Sequence, residues 1–326
     1  MIVDKVKWGI IGCGDVTEVK SGPAFQKAAN SELVAVMRRN GALAADYARR
    51  HGVPRWYDDA DALINDPAVN AIYVATPPST HADYAIRAMR AGKPVYVEKP
   101  MALNADECRD MVDVSQYTGV PLFVAYYRRA LPMFVKLKGL IDMEAIGEVR
   151  MINVTLHLPA KPEELQGTLG WRVDPAVSGG GHFHDLASHQ LDYLEYIFGK
   201  IVEAKGVAVN QAGLYATEDT VSASFRFASG IIGSGSWCFV VPKKQAMDVT
   251  EIIGSRGRIS FSFFSNTILH VETDTMVEDF DIPNPPHVHQ PLVELVVNEL
   301  RGHGKCPSTG ETGLSASLLM DEIMRK

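Results

Sequence analysis

The sequence is poor in cysteine, and what it has is scattered. Cys13, Cys108, Cys238 and Cys306 are far apart and include no CxxC pair, which fits a reducing cytosol better than a disulfide framework or a zinc site. No apolar run approaches the roughly 18 residues that a membrane span needs, and the N-terminus lacks the layout of a signal peptide. The ten histidines include no HxxxH or HExxH spacing, so no catalytic metal is expected. His287 and His289, beside a proline-rich turn, read as structural. There is no basic excess either, since the net charge is −7, and that argues against non-specific nucleic-acid binding. Repeats and low-complexity linkers are also missing. The expectation is a cytoplasmic protein with neither membrane nor nucleic-acid partners.

What remains is ordinary globular composition, 46% hydrophobic and 22% charged over 326 residues, long enough for two cores. The first 125 residues alternate short apolar runs, at Val6–Ile11, Leu33–Met37, Ala71–Ala75, Val95–Glu98 and Leu122–Ala125, with helical patterns such as Asp83–Ala91 and Asp106–Thr118. Continuous apolar strands separated by helices predict a doubly wound parallel sheet. After about Glu148 the strands follow one another with glycine turns: Val149–His157, Val202–Val209, Val221–Phe227, Ile231–Phe239, Met247–Ile253 and Arg258–Phe263. That succession predicts a mostly antiparallel sheet in an α+β domain. Helices are expected near Phe183–Phe198, Pro291–Arg301 and Glu311–Met324. The expected domains are residues 1–125, a doubly wound Rossmann domain, and 126–326, an α+β domain, to which the family resemblance described below assigns substrate binding and oligomerisation.

Gly9-Ile-Ile-Gly12-Cys-Gly14-Asp15-Val16-Thr17 ends the first strand. Glycines there let the backbone approach a pyrophosphate, and Gly12, Gly14, Asp15 and Val16 are the expected contacts. An NAD site usually carries an acid at the end of the second strand. Here Arg38-Arg39 follow Met37, and guanidinium groups pair with phosphate, so NADP(H) is favoured over NAD(H). Glu98-Lys99-Pro100 closes another strand, where open α/β sheets bind ligands. A lysine there can stabilise charge on a substrate oxygen, and the proline suggests a cis bond. In the second half, Gly179-Gly180-Gly181 leads into a helix on which Asp185 and His189, four apart, share a face with Asp192. His189 can exchange a proton near neutrality, with Asp185 orienting it or anchoring a hydroxyl.

Gly12/Gly14, Ala75-Thr76-Pro77-Pro78-Ser79-Thr80-His81, Glu98-Lys99-Pro100, Tyr126-Tyr127-Arg128-Arg129, Trp171-Arg172 and the GGGxxxDxxxH run ending at His189 occur in the order of the glucose–fructose oxidoreductase/inositol dehydrogenase (Gfo/Idh/MocA) family. The chain resembles that family over nearly its whole length. The departures are Thr17, the histidines at 182 and 184, and Arg38 in place of the acid.

The resemblance implies a dinucleotide lying along Thr76, Pro77, His81, Glu98, Lys99 and Arg128. It implies Lys99, Asp185 and His189 as the catalytic groups. Two further candidates stand on their own residues: Tyr126, to contact cofactor or substrate or to cap the sheet, and Arg172, to contact the substrate or bind across the domain interface. The resemblance further implies hydride transfer between nicotinamide and a secondary alcohol or carbonyl of a sugar, polyol, inositol or related small molecule. A homodimer or homotetramer through the second-domain sheet follows too. Two alternatives stand beside this reading: an NADP-linked reductase of a non-sugar substrate such as an aromatic dihydrodiol, and a dinucleotide-sensing regulator without turnover.

Overall fold

The computed structural model describes residues 2–325. The chain divides into two units. One runs to Leu131 and takes in Pro285–Leu314; the other is Pro132–Asn284 with the stretch from Ser315 onward.

The first unit holds β1 (Val6–Ile11), β2 (Ser31–Met37), β3 (Arg55–Tyr57), β4 (Ala71–Val74), β5 (Val95–Val97) and β6 (Leu122–Val124). They form one sheet in the order β3-β2-β1-β4-β5-β6, every pairing parallel. Valine, isoleucine and aromatic residues fill these strands because both faces are covered. In β1 only Lys7 is exposed. The helices are α1 (Asp15–Val19), α2 (Gly22–Lys27), α3 (Gly41–His51), α4 (Ala60–Ile64), α5 (His81–Arg90) and α6 (Ala105–Thr118). Asn40, Asp59 and Asn104 cap α3, α4 and α6 by accepting the N–H of Leu43, Ala62 and Glu107, which satisfies otherwise orphaned helix donors. Strand order reverses between β1 and β4, and the carboxyl ends of these strands flank the reversal, where doubly wound folds place their ligands.

The second unit begins with α7 (Pro132–Asp142) and β7 (Val149–His157), then passes through α8 (Pro162–Leu165) and α9 (Pro175–Ser178) to the long α10 (Gly181–Phe198). There follow β8 (Ile201–Val209), β9 (Thr220–Phe227), β10 (Ile232–Cys238), β11 (Met247–Gly254), β12 (Gly257–Phe261), β13 (Ile268–Thr273) and β14 (Val277–Asp281). The eight strands lie in the order β14-β13-β12-β11-β7-β10-β9-β8. Among the described residues all pairings are antiparallel except β7 with β10. Ile152, Val154, Leu156, Val221, Phe225, Phe227 and Trp237 point to one face, where Phe183, Ala187, Leu191 and Leu194 of α10 cover them. The architecture is the Rossmann-plus-open-sheet arrangement expected from the sequence.

The chain then forms α11 (Gln290–Leu300) and α12 (Gly310–Met324). Sequence texture keeps 126–326 together, whereas the structure returns residues 285–314 to the first unit. The cause is the apolar stripe Leu292, Val293, Val296, Val297 and Leu300, which packs into the core holding Trp8, Phe25, Tyr73 and Tyr96. Three strands also escaped the sequence reading: β3, β13 and β14.

Candidate active site

At the end of β1, Gly12 adopts φ +95°, a conformation that favours glycine. A Cβ on it would stand 2.9 Å from the backbone of Ala75 and Thr76. The turn is fixed by Gly12 N–H donating to Met37 O (2.9 Å) and Gly14 N–H to Gly12 O (2.8 Å). A Cβ on Gly14 would meet only Gly12 O, at 3.9 Å, so backbone is open to close approach there, as a pyrophosphate requires. Thr17, the departure from a small third residue, is fully buried. Its hydroxyl donates to Gly14 O at 2.7 Å, while its own carbonyl accepts from the Tyr47 hydroxyl at 2.8 Å. Asp15 and Val16 lie in the one short turn of α1.

At the end of β2, Arg38 is half-buried and Arg39 exposed. Neither guanidinium has an ion-pair or hydrogen-bond partner among the described residues. Arginines elsewhere do pair, such as Arg50 with Glu18 at 2.7 Å and Arg87 with Asp83 at 2.9 Å.

Thr76 and Pro77 follow β4, and the Thr80 hydroxyl donates to Thr76 Oγ1 at 2.8 Å. His81 is fully buried. Its Nδ1 lies 3.0 Å from Pro100 O and its Nε2 2.6 Å from Thr76 O, so it braces two loops with both ring nitrogens on backbone carbonyls. Burial holds its pKa below the ordinary histidine value, because the charged form loses its hydration.

At the end of β5, Lys99 is half-buried and the Lys99–Pro100 peptide is cis, as expected. Glu98 is only 7% exposed. The Tyr73 hydroxyl donates to its Oε1 at 2.5 Å and the Lys99 backbone N–H to its Oε2 at 3.2 Å. Burial pushes the Glu98 carboxyl up, against the opposing pull of the Tyr73 hydrogen bond and the Lys99 charge. After β6, Tyr126 and Arg128 are buried, and the Arg128 guanidinium lies 5.1 Å from the centre of the Tyr127 ring. The first unit therefore brings Gly12, Gly14, Arg38, Thr76, Pro77, Glu98, Lys99, Tyr126 and Arg128 to the carboxyl ends of one parallel sheet.

In the second unit, Gly181 has φ +63°, and a Cβ on it would stand 2.2 Å from Thr217 Oγ1. The glycine run thus allows α10 to start against β9's approach. Four-residue spacing puts Asp185 and His189 on one side of α10; Asp185 is half-buried and His189 buried. Arg172 Nε lies 3.4 Å from Asp185 Oδ2, and its guanidinium stacks on Trp171 at 4.5 Å. Sequence reasoning missed the pair behind this loop. Glu164 and His182, both buried, meet at 2.8 Å, and Glu164 Oε2 accepts the Lys161 N–H at 2.9 Å. Eighteen residues separate that pair, so no local spacing announces it. Tyr73, which flanks Glu98, was missed for the same reason; His289, read from the sequence as structural, is buried on the other side of Glu98.

Against known proteins, a sequence profile described as "Oxidoreductase family, NAD-binding Rossmann fold" matches residues 6–126, and "GFO/IDH/MocA C-terminal domain" matches residues 134–260. Oxidoreductase P35 of Formosa agariphila is 41% identical over 97% of this chain and 98% of its own length. The 1,5-anhydro-D-fructose reductase of Ensifer adhaerens is 28% identical, covering 94% and 92%. Levoglucosan dehydrogenase, solved in complex with NADH, superposes with a TM-score of 0.85 at 23% identity, covering 98% and 96%. The ordered motifs, the two sheets and these similarities agree: this chain belongs to the GFO/IDH/MocA family of oxidoreductases with an NAD-binding Rossmann fold.

Proposed function

We propose that the chain transfers a hydride between a nicotinamide dinucleotide and a secondary alcohol or carbonyl of a sugar, polyol, inositol or related small molecule. The observation that carries this reading is the β5 strand end. There a buried Glu98 holds the backbone of a half-buried Lys99 at the ligand-binding edge of a dinucleotide fold. The dinucleotide, when bound, supplies or accepts the hydride. Lys99 donates to the substrate oxygen and stabilises charge on it. His189 exchanges the hydroxyl proton, and Asp185 orients His189 and the substrate. Arg172, through its contact with Asp185, and Tyr126 contact the substrate.

Gly12, Gly14, Asp15, Val16, Thr76, Pro77, Glu98 and Arg128 hold the dinucleotide, and His81 sets the loops that do so. Arg38 and Arg39, without partners of their own, favour a 2′-phosphate and hence NADP(H) over NAD(H). An anhydro-sugar or related cyclic polyol is the substrate class that the names of the relatives support. The two copies of a homodimer, or pairs within a homotetramer, meet through the open face of the second-unit sheet, which exposes Met151, Val207, Ile232, Met247 and Val249. The four free thiols support a cytosolic setting, and no described helix is long and apolar enough to cross a membrane.

The test is Lys99→Met assayed with NADPH and NADH on a panel of sugars, inositols, polyols and an aromatic trans-dihydrodiol. Turnover by the unaltered protein should fall by a factor of order 10³ or more in the variant, with dinucleotide affinity nearly kept. Unchanged turnover in Lys99→Met would reject the catalytic assignment. Turnover of the dihydrodiol alone would replace the sugar reading, and tight NADPH binding with no turnover anywhere would make the chain a dinucleotide sensor.

A further inference from the structure

Below the Glu98–Lys99 strand end lies a buried polar cluster drawn from distant parts of the first unit: Ser21, Tyr73, Tyr96, Glu98 and His289. His289 Nε2 stands 3.5 Å from Glu98 Oε1, and the Tyr96 hydroxyl, 193 residues away in sequence, stands 3.2 Å from His289 Nδ1. The Tyr73 hydroxyl reaches both Glu98 Oε1 and, at 3.0 Å, Ser21 Oγ. The backbone around His289 is tied to the segment behind the glycine loop. His289 N–H donates to Lys20 O at 3.3 Å, and His287 Nδ1 lies 2.6 Å from Val19 O.

The imidazole is neutral, since burial and then the nearby charges of Lys20, Lys99 and Arg128 push its pKa down to about 3. A neutral ring has one N–H and one acceptor nitrogen. In the tautomer in which the Tyr96 hydroxyl donates to Nδ1, the N–H stands on Nε2, on the side of Glu98. Glu98 accepts from the Tyr73 hydroxyl and the Lys99 backbone N–H, the His289 ring stands 3.5 Å from its Oε1, and Lys99, His81 and Tyr96 are its other titratable neighbours. Packing alone does not account for this residue. The surroundings are Tyr73, Tyr96 and Tyr127, whose ring is centred 4.5 Å from His289. A leucine would fill such a place without the cost of desolvating an imidazole.

We propose that His289 is a positioning residue: with Tyr73 it fixes the Glu98 carboxylate, and the carboxylate fixes Lys99, while its backbone ties it to Lys20 in the segment behind the glycine loop. This rests on the assignment of Lys99 to the reaction. It adds a partner 190 residues downstream of Lys99 that no motif contains.

The experiment compares His289→Leu with His289→Gln, whose amide can still donate near the Nε2 position. Four quantities are read on the full chain: melting temperature, kcat against KM, NADPH affinity, and the infrared band of a protonated carboxyl group, with Glu98→Gln as the reference lacking it. His289→Leu should keep its melting temperature and KM, lose roughly ten- to a hundredfold in kcat, and gain the carboxyl band. His289→Gln should restore kcat to within about threefold of the unaltered protein and suppress the band. Equal losses in both variants in step with melting temperature, or a leucine variant with unaltered kcat and no new band, would overturn the proposal. If the unaltered protein turns over nothing on the panel, the hydride-transfer reading fails, and the infrared band still decides whether His289 holds Glu98.

Discussion

The two sheets of this molecule solve burial differently. The six-stranded sheet is parallel and covered on both sides. Its polar groups are therefore forced to strand ends or into closed networks such as Tyr73–Glu98. The eight-stranded sheet is covered on one face only. Along β9 the residues alternate between buried Val221, Ala223, Phe225 and Phe227 and exposed Ser222, Ser224 and Arg226. A fully enclosed sheet concentrates chemistry at its edge, whereas a half-covered one gives one face to the core and leaves the other for a surface role.

The largest expected effect comes from the covered face of the open sheet. Trp237 is fully buried in β10, packs edge-on against Phe183 with ring centres 5.2 Å apart, and donates its indole N–H to Gln190 Oε1 at 2.7 Å. Trp237→Ala removes that packing and strands a buried amide, so it should destabilise the fold by about 3–5 kcal/mol in denaturant unfolding. A loss below about 1 kcal/mol would mean that this face is not the core it resembles.

How much of this was legible depended on how local the signal was. The long enclosed strands carried their own apolar runs, and each motif was a short local string, at strand ends for Gly12, Arg38 and Glu98–Lys99 and on helix α10 for Asp185–His189, so these could be picked out directly. β3 has three residues, Arg55-Trp56-Tyr57, two of them exposed at a sheet edge, and offers no period to read. β14, Val277–Asp281, is mostly acidic and exposed, because an edge strand needs no second apolar face. The return of α11 to the first core, and with it the role of His289, depends on contacts nearly two hundred residues apart. An amphipathic stripe says that a helix is buried, and nothing in it names the surface that buries it.

Acid should separate the two regions next. An unfolded chain takes up a proton on His289 near pH 6.5, whereas the folded chain does so only at about pH 3. The unfolded state therefore binds more protons across that window, and stability falls as pH drops from 6.5 toward 3. The slope approaches roughly 1.4 kcal/mol per pH unit. Glu98 acts the other way, its raised pKa giving stability that is lost as pH climbs above the unfolded value. Unfolding midpoints measured at pH 7 and pH 4.5 for the unaltered protein and His289→Gln isolate the histidine, because the glutamine variant should lack its share of the slope. Identical pH dependence would show that His289 is accessible to protons in the folded state.

A smaller effect is expected at the edge of the parallel sheet. Arg38→Ala removes one uncommitted guanidinium and should weaken NADPH binding by about ten- to a hundredfold, the worth of one charged hydrogen bond, with NADH nearly unaffected. Fluorescence titration of both cofactors reads the difference. Equal weakening of NADPH and NADH would place Arg38 against the shared part of the dinucleotide and remove the argument for the 2′-phosphate.

The smallest expected effect tests the open face most directly. Val207 stands 69% exposed on β8, beside Ser222 of β9 in the register, so for a lone chain Val207→Ser should change stability by less than about 0.5 kcal/mol. Several apolar side chains on one exposed sheet face make a surface that a partner can cover. A second copy seated on this face would make the melting temperature rise with protein concentration. The serine variant should then match the unaltered protein at high dilution and fall behind it as concentration rises. Sedimentation and melting followed over the same dilution series carry the comparison. Equal curves at every concentration would show that the uncovered face is simply tolerated, and that the contrast between the two sheets reflects solubility alone.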